Sequence, residues 1–310
     1  ETPRVLVLES PYFLHRELPA ALERMGAPHA VLPLPDTDAA PRKYAAELLT
    51  AIATLEPDFL LTVNHFGLDA GGGVAALLER IRLPLASWFV DRPGLTLPLF
   101  ETTSEWITVF CHDKDDVTEC RDLGWTKTAW LPLGTDPSVF RPDAPAPKRW
   151  AEACPADDCA VAFVGSSDTK LLGQRLRQHR YPLELVKAYK PLAAAFKDSD
   201  FRLARDFLHA HRPDLFEIFA AMPLSARLAY QSVLYRQASR LRRRDLVRAL
   251  LPHAPLIVGD RWWEALVPEH GGRWKRLESV RYYDELPGLY ARARVRSEER
   301  RVGKECATGC

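Results

Sequence analysis

Net charge, long apolar runs, paired-cysteine spacings and a glycine-rich dinucleotide turn are all missing from this 310-residue chain. Each absence removes a class of function. Lysine plus arginine number 42 against 41 aspartate plus glutamate, so no global field draws the chain to nucleic acid or anionic lipid. Among the longest apolar runs is Leu83 to Val90, bounded by Arg82 and Asp91 and well short of the roughly 18 residues a membrane span needs. Glu1-Thr2-Pro3 has neither the basic nor the apolar region of a secretory leader, so a cytoplasmic chain is expected. The six cysteines (Cys111, Cys120, Cys154, Cys159, Cys306 and Cys310) show no C-x2-C spacing, and no paired histidines complete a zinc site. Free thiols and no bound metal are expected.

What is present is ordinary for a globular protein. Hydrophobic residues make up 47%, which excludes disordered and fibrous classes, and the length suits two domains. The 32 arginines against 10 lysines are read as coding-sequence base composition. Six apolar, partly β-branched runs recur at Arg4–Leu8, Ala30–Pro35, Asp58–Val63, Pro84–Val90, Trp106–Cys111 and Lys127–Leu133. Between the first four lie helical stripes, such as Leu14, Leu18, Leu22 and Met25, or Val74, Leu77, Leu78 and Ile81. Strands alternating with helices mean βαβ units and a parallel sheet, and nearly continuous apolar runs fit strands covered on both faces. Residues 1–142 are therefore expected to form a Rossmann-like α/β domain.

Function in such sheets gathers at the carboxyl ends of the strands. Those ends carry Glu9-Ser10-Pro11, Asn64-His65-Phe66-Gly67, Asp91-Arg92-Pro93 and His112-Asp113-Lys114. The first βα turn lacks G-x-G-x-x-G, which disfavours a nicotinamide-dependent oxidoreductase. Gly71-Gly72-Gly73 opens a helix whose N–H groups could receive an anion, or is simply a flexible connector. His65 and Asp91 end successive runs. An imidazole held by a carboxylate is a general-base arrangement; the alternative is that each caps its own loop.

Five prolines between Pro132 and Pro147 mark an extended connection, and 143–158 is read as the linker. Cys159–Val164 begins a second unit, Leu256–Val258 is a further strand and Val280–Tyr283 a third, followed by a short helix to about Arg294. Between them, about 170–252 is helical. There Tyr230, Val233, Leu234, Ala238 and Leu241 form an apolar stripe with Arg236, Arg240, Arg243 and Arg244 off it. Seven arginines less Asp245 give that stretch a local +6, either a solvated face or a site for phosphates or an acidic polymer. The last fifteen residues, 296–310, have no apolar period and are expected to be a non-native tail on a truncated coding sequence.

Several strings resemble the CgeB-like (spore-maturation-protein-like) bacterial glycosyltransferases: PDFLLTVNHFG at 57–67, LPLASWFVDRP at 83–93, VFCHDK at 109–114, LPLGTD at 131–136, VAFVGS at 161–166 and YDELP at 283–287. The resemblance implies a GT-B architecture, two Rossmann-like domains facing across a cleft. The second domain, 159–295, would be incomplete and carry the helical insertion. It implies a nucleotide-sugar donor, an unidentified acceptor (a glycan, a cell-surface polymer or a protein), and no metal or other cofactor, since helix N-termini and basic side chains neutralise the departing diphosphate. His65 and Asp91 would activate the acceptor. Gly165, Ser166, Lys170, Asp260, Arg261, Tyr283 and Leu286 would line the donor site. The implied activity is transfer of a sugar to an acceptor hydroxyl. The alternative is a non-catalytic carbohydrate- or nucleotide-binding α/β module, which would bind sugar nucleotides without turning them over.

Overall fold

The computed structural model describes residues 2–9, 14–34, 41–145, 147–153 and 161–297. The chain forms two compact units, Glu1–Gly134 and Thr135–Cys310. The first is a six-stranded parallel sheet of β1 (Val5–Glu9), β2 (His29–Pro33), β3 (Phe59–Val63), β4 (Leu85–Phe89), β5 (Ile107–Cys111) and β6 (Thr128–Trp130), in the order β2-β1-β3-β4-β5-β6. All six expected runs are strands. Helices α1 (Glu17–Arg24), α2 (Pro41–Leu55), α3 (Gly73–Ile81) and α4 (Asp116–Asp122) connect them. Val5 to Leu8 lie at 0–3% exposure, as required of a strand covered on both faces. Leu6, Leu48, Leu60, Leu78, Leu85 and Ile107 fill the main core. Because the sheet turns back between β1 and β3, the ends of those two strands mark its topological switch point.

The second unit starts at Thr135, before the expected boundary at 142, because the proline-rich segment packs against elements C-terminal to it. Phe140 meets Tyr282 edge-on and Tyr290 at a tilt, and Trp150 of α5 (Lys148–Ala153) joins the core formed by Ala162, Leu256, Leu286 and Leu289. Arg149 forks onto Glu285 at 2.7 and 2.9 Å. The described part of the expected linker is thus a docked strap. Its proline content stiffens the backbone, and its aromatic residues supply the contacts that hold it down.

The second sheet contains β7 (Val161–Val164), β8 (Leu256–Val258), β9 (Lys275–Leu277) and β10 (Val295–Ser297), all parallel and ordered β10-β7-β8-β9. Read from the far edge this is the 3-2-1-4 order of a Rossmann half, with its switch point between β7 and β10. Both units are therefore Rossmann-like α/β. Five helices separate β7 from β8: α6 (Thr169–Gln178), α7 (Leu183–Lys197), α8 (Ala204–His211), α9 (Pro213–Ala220) and α10 (Leu224–Leu250). Tyr230 of α10 donates to the Leu185 carbonyl at 2.9 Å, and Tyr235 accepts the Ala204 N–H at 3.0 Å, tying the long helix to α7 and α8. Helices α11 (Trp263–Leu266) and α12 (Leu286–Arg292) complete the unit.

One expectation is corrected by the fold. Val280–Tyr283 is a turn, and the strand lies at Lys275–Leu277 instead. The Glu285 carboxylate accepts the Arg281 N–H at 2.8 Å, closing a turn, while Tyr282 packs sideways on Phe140; apolar character there serves packing between loops. Arg296 and Ser297, the first residues of the expected non-native tail, lie in β10 and pair with Ala162 and Phe163. Residues 298–310 lie outside the described residues.

Gly288 tests the strap. A Cβ there would collide with the Pro145 carbonyl. Gly288→Ala is expected to destabilise the second unit by about 1–3 kcal/mol, as overpacking does. A lower urea midpoint at unchanged slope is the expected result. An unaltered midpoint would mean the strap does not rest on α12.

Candidate functional site

In the first unit the strand ends are cross-tied by Asn64. Its side-chain carbonyl accepts the N–H groups of Val90 (2.9 Å) and Asp91 (3.2 Å), and its amide donates to Asp91 Oδ2 at 2.8 Å. Asn64 and His65 both take left-handed backbone conformations, φ 52° and 61°, so the chain reverses sharply at the end of β3. This reversal sends the imidazole inward. His65 is 2% exposed, with its ring between Phe89, Phe100 and Trp125 at centroid distances of 4.8–5.1 Å.

Ser87 Oγ accepts the His65 N–H at 3.1 Å and lies 2.5 Å from Nδ1. The other ring nitrogen, Nε2, is buried and meets no hydrogen-bond partner. Burial pushes the imidazole pKa down from 6.5 to about 3. The expected His65–Asp91 pair is therefore not formed. Asp91 pairs with Asn64, and His65 is buried in the aromatic core, where its imidazole is held neutral. Asn64 sat beside His65 in the sequence but carried no signal, because an amide reads equally as a turn residue.

The rim continues along β4, β5 and β6. Arg92 and Glu119 form a mostly buried ion pair at 2.9 Å that anchors the turn after β4. A Cβ on Gly94 would overlap the Glu119 carboxylate. Trp88 donates its indole N–H to the Leu131 carbonyl (2.9 Å) and Trp130 to the His112 carbonyl (3.2 Å). The Gly71-Gly72-Gly73 run is tied down from within: Asp69 accepts the N–H groups of Gly73 and Val74 at 2.8 and 2.7 Å, which holds its carboxyl below the ordinary value despite partial burial. The anion position there is filled by the chain's own carboxylate.

The second unit gathers more of the expected residues. Asp260, just past β8, accepts Ser166 Oγ (3.0 Å), Ser167 N (2.8 Å), Ser167 Oγ (2.7 Å) and Trp262 N (3.0 Å). Gly165 joins the same junction, giving its carbonyl to the Trp263 indole at 2.9 Å. A Cβ on Gly259 would strike that carbonyl, so a glycine is required there for the strand ends to meet. Lys170 is exposed on α6, and Arg261 is exposed and lies over the Trp262 ring at 5.1 Å. Tyr283 stacks edge-on against Tyr282. Leu286 is 6% exposed inside the core under α12, so it lines no site.

The side chains that complete this site come from α10. Arg236, Arg240 and Arg243 share one face of the helix and converge on the turn between β7 and α6. Arg236 donates to Asp168 Oδ1 at 3.0 Å, Arg240 to Thr169 Oγ1 at 3.2 Å, and Arg243 to the Ser166 carbonyl at 2.9 Å. Asp168, 1% exposed and left-handed at φ 61°, has a second oxygen without a hydrogen bond, 3.9 Å from Arg243. Two guanidinium groups thus meet one carboxylate, and the third sits on the neighbouring Thr169 hydroxyl. Burial lowers the pKa of Arg240, partly offset by Tyr189. The basic face weighed as solvated is instead turned onto the switch-point loop. The spacing 236, 240, 243 was the available signal; the sequence did not say what it faced.

A groove of about 560 Å³ lies elsewhere, between α2 and the edge strand β2. Its hydroxyls are already used, Thr50 and Thr54 donating to the Ala46 and Thr50 carbonyls at 2.8 Å, and its charged lining residues Lys43 and Glu47 pair with each other at 3.7 Å. Among the described residues, no three His, Cys, Asp or Glu side chains are grouped to hold a metal, and no helix is long and apolar enough to cross a membrane.

No family model and no curated protein matches the sequence. Among solved structures, the chain is similar to Anabaena HepE crystallised with UDP and glucose, at 12% identity and a TM-score of 0.43, over 93% of this chain and 71% of that one. So distant a likeness identifies neither family nor reaction.

His65 supplies a pH test. With the folded value near 3 and the unfolded value near 6.5, only the unfolded chain binds this proton between those limits. Stability is therefore fully present above about pH 6.5 and falls as pH drops, by up to about 1.4 kcal/mol per unit. His65→Asn, which tolerates the left-handed backbone, should remove that part of the slope in urea titrations at pH 7, 6 and 5. Equal slopes would mean the imidazole is not buried and neutral.

Proposed function

We propose that this chain is a glycosyltransferase of the GT-B kind, CgeB-like, its second unit holding a nucleotide-sugar donor and its first an acceptor hydroxyl. The observation that carries the reading is the arginine cluster over the β7–α6 turn. That turn ends the first strand of a Rossmann-ordered sheet at its switch point, where such sheets bind ligands. The surplus positive charge there suits a diphosphate, and guanidinium groups match phosphate oxygens in pairs. In this reading Ser166 and Lys170 add polar contacts. Asp260 does not touch the donor; its four accepted hydrogen bonds hold the Ser166–Ser167 loop in place.

The arginines supply the counter-charge that a departing nucleoside diphosphate needs, so transfer should persist in EDTA. Asp91, aimed by Asn64 at the rim of the first sheet, is the carboxylate assigned to acceptor activation in place of the buried His65. The burial of His65 is also what favours the second reading, a non-catalytic sugar- or nucleotide-binding module.

Titration calorimetry with UDP, GDP, ADP and dTDP tests the donor site. At least one should bind, and Arg240→Gln should weaken it about tenfold, or 1.4 kcal/mol. Arg240 is the variant of choice because its partner here is a neutral hydroxyl. Removing Arg236 would strand the buried Asp168, costing about 3–5 kcal/mol of stability. Binding of none of the four, or unchanged affinity in the variant, would overturn the assignment. Asp91→Asn should abolish transfer from a sugar-nucleotide panel while leaving diphosphate affinity intact. If the parent chain binds diphosphates but never turns over their sugars, the binding-module reading stands instead.

A further inference from the structure

The carboxyl rim of the first sheet carries an aromatic face that the donor site does not use. Trp130, the last residue of the edge strand β6, is 52% exposed, and the next residue, Leu131, is 41% exposed. Isolated exposed apolar residues are common and need no explanation. This one is held still. Its indole N–H is tied to the His112 carbonyl at the end of β5, and the Trp88 indole is tied to the Leu131 carbonyl from β4. The two bonds stitch the ends of three neighbouring strands together and fix the plane of the Trp130 ring. With its only donor engaged, the ring offers an apolar π face. No ring or cation among the described residues is stacked on it.

Register places Phe89, Cys111 and Trp130 in one row across β4, β5 and β6. The Asn64-bound Asp91 follows that row at β4, and neighbouring strands are about 4.8 Å apart. Two strands across and two residues further along, the Asp91 backbone starts about 12 Å from that of Trp130, room for one sugar ring and its contacts. Polar groups converging beside an aromatic face are the make-up of a small-ligand site. The apolar patch is two side chains wide, far below the roughly 800 Å² per partner of a stable protein interface.

We propose that Trp130 is the platform of a carbohydrate subsite, stacking the apolar face of a pyranose ring and presenting a hydroxyl of that ring toward Asp91. The acceptor is then a glycan. Its role as an acceptor rests on the glycosyltransferase reading; the platform belongs to the first unit alone.

The test is titration calorimetry of the full chain with maltotriose, cellotriose and chitotriose, with a Ser/Thr-rich hexapeptide as the non-glycan probe. At least one trisaccharide should bind. Trp130→Ala should lose at least tenfold in affinity and Trp130→Tyr, which keeps a stacking ring, less than threefold. Diphosphate affinity should not change in either variant. If the alanine variant melts early, the tyrosine variant compared with Trp130→Leu, of equal apolar character but without a ring, carries the test. No trisaccharide binding, Trp130-independent binding, or Trp130-dependent binding of the peptide alone would each overturn the proposal. Trp130-dependent glycan binding in a chain that binds no diphosphate would sink the glycosyltransferase reading and leave the platform standing.

Discussion

The second unit depends on one carboxylate. Asp260 leaves β8 and takes four hydrogen bonds, three of them from the loop that leaves β7. Parallel strands end in loops whose N–H groups have lost their ladder partners, and a buried donor left unpaired costs about 1–3 kcal/mol. A carboxylate on the neighbouring strand meets several of those donors at once, and charge-assisted hydrogen bonds are the stronger kind. The clamp also fixes the loop as a rigid surface onto which α10 can lower its arginines. Gly259 is the steric condition for this arrangement, because any side chain there would push the two strand ends apart.

The first unit solves the same problem with an amide. Asn64 ties the end of β3 to the end of β4, accepting two N–H groups and donating to Asp91. An amide can do both, which a carboxylate cannot. The consequence for chemistry is direct: Asp91 is oriented by Asn64, while His65 is turned into the aromatic core. Burial then keeps the imidazole neutral. Strand ends in both units are therefore made rigid by polar cross-ties, and the side chains left at the rims are held in fixed directions. Such preorganisation is what a binding site requires of its scaffold.

The arginine cluster shows how a charged helix can be structural and functional together. α10 has an apolar side, with Tyr230, Val233, Leu234 and Ala238 buried, and a basic side turned onto the β7–α6 turn. Asp168 serves as the internal counter-ion that makes such crowding of guanidinium groups tolerable.

The sequence by itself determined most of the elements. The α/β alternation of the first unit, the helical insertion of the second and the absence of a dinucleotide turn follow from continuous apolar runs, helical stripes and glycine positions, which are local properties. It also singled out the loops at the carboxyl ends of the parallel strands, where sites in such sheets form. Tertiary structure alone decided which polar groups at those ends meet. His65 and Asp91 lie on adjacent strands as the run order suggested, yet a left-handed backbone at the reversal separates them. Arg236, Arg240 and Arg243 could be read as one helix face, but the turn beneath them is 68 to 77 residues away in the chain. Val280–Tyr283 looked like a strand because aromatic residues that pack between loops have the same composition as those that pack in sheets. The physical reason is common to all three. Periodicity reports which side of an element is apolar, whereas the meeting of two polar side chains depends on backbone direction and on packing between distant segments.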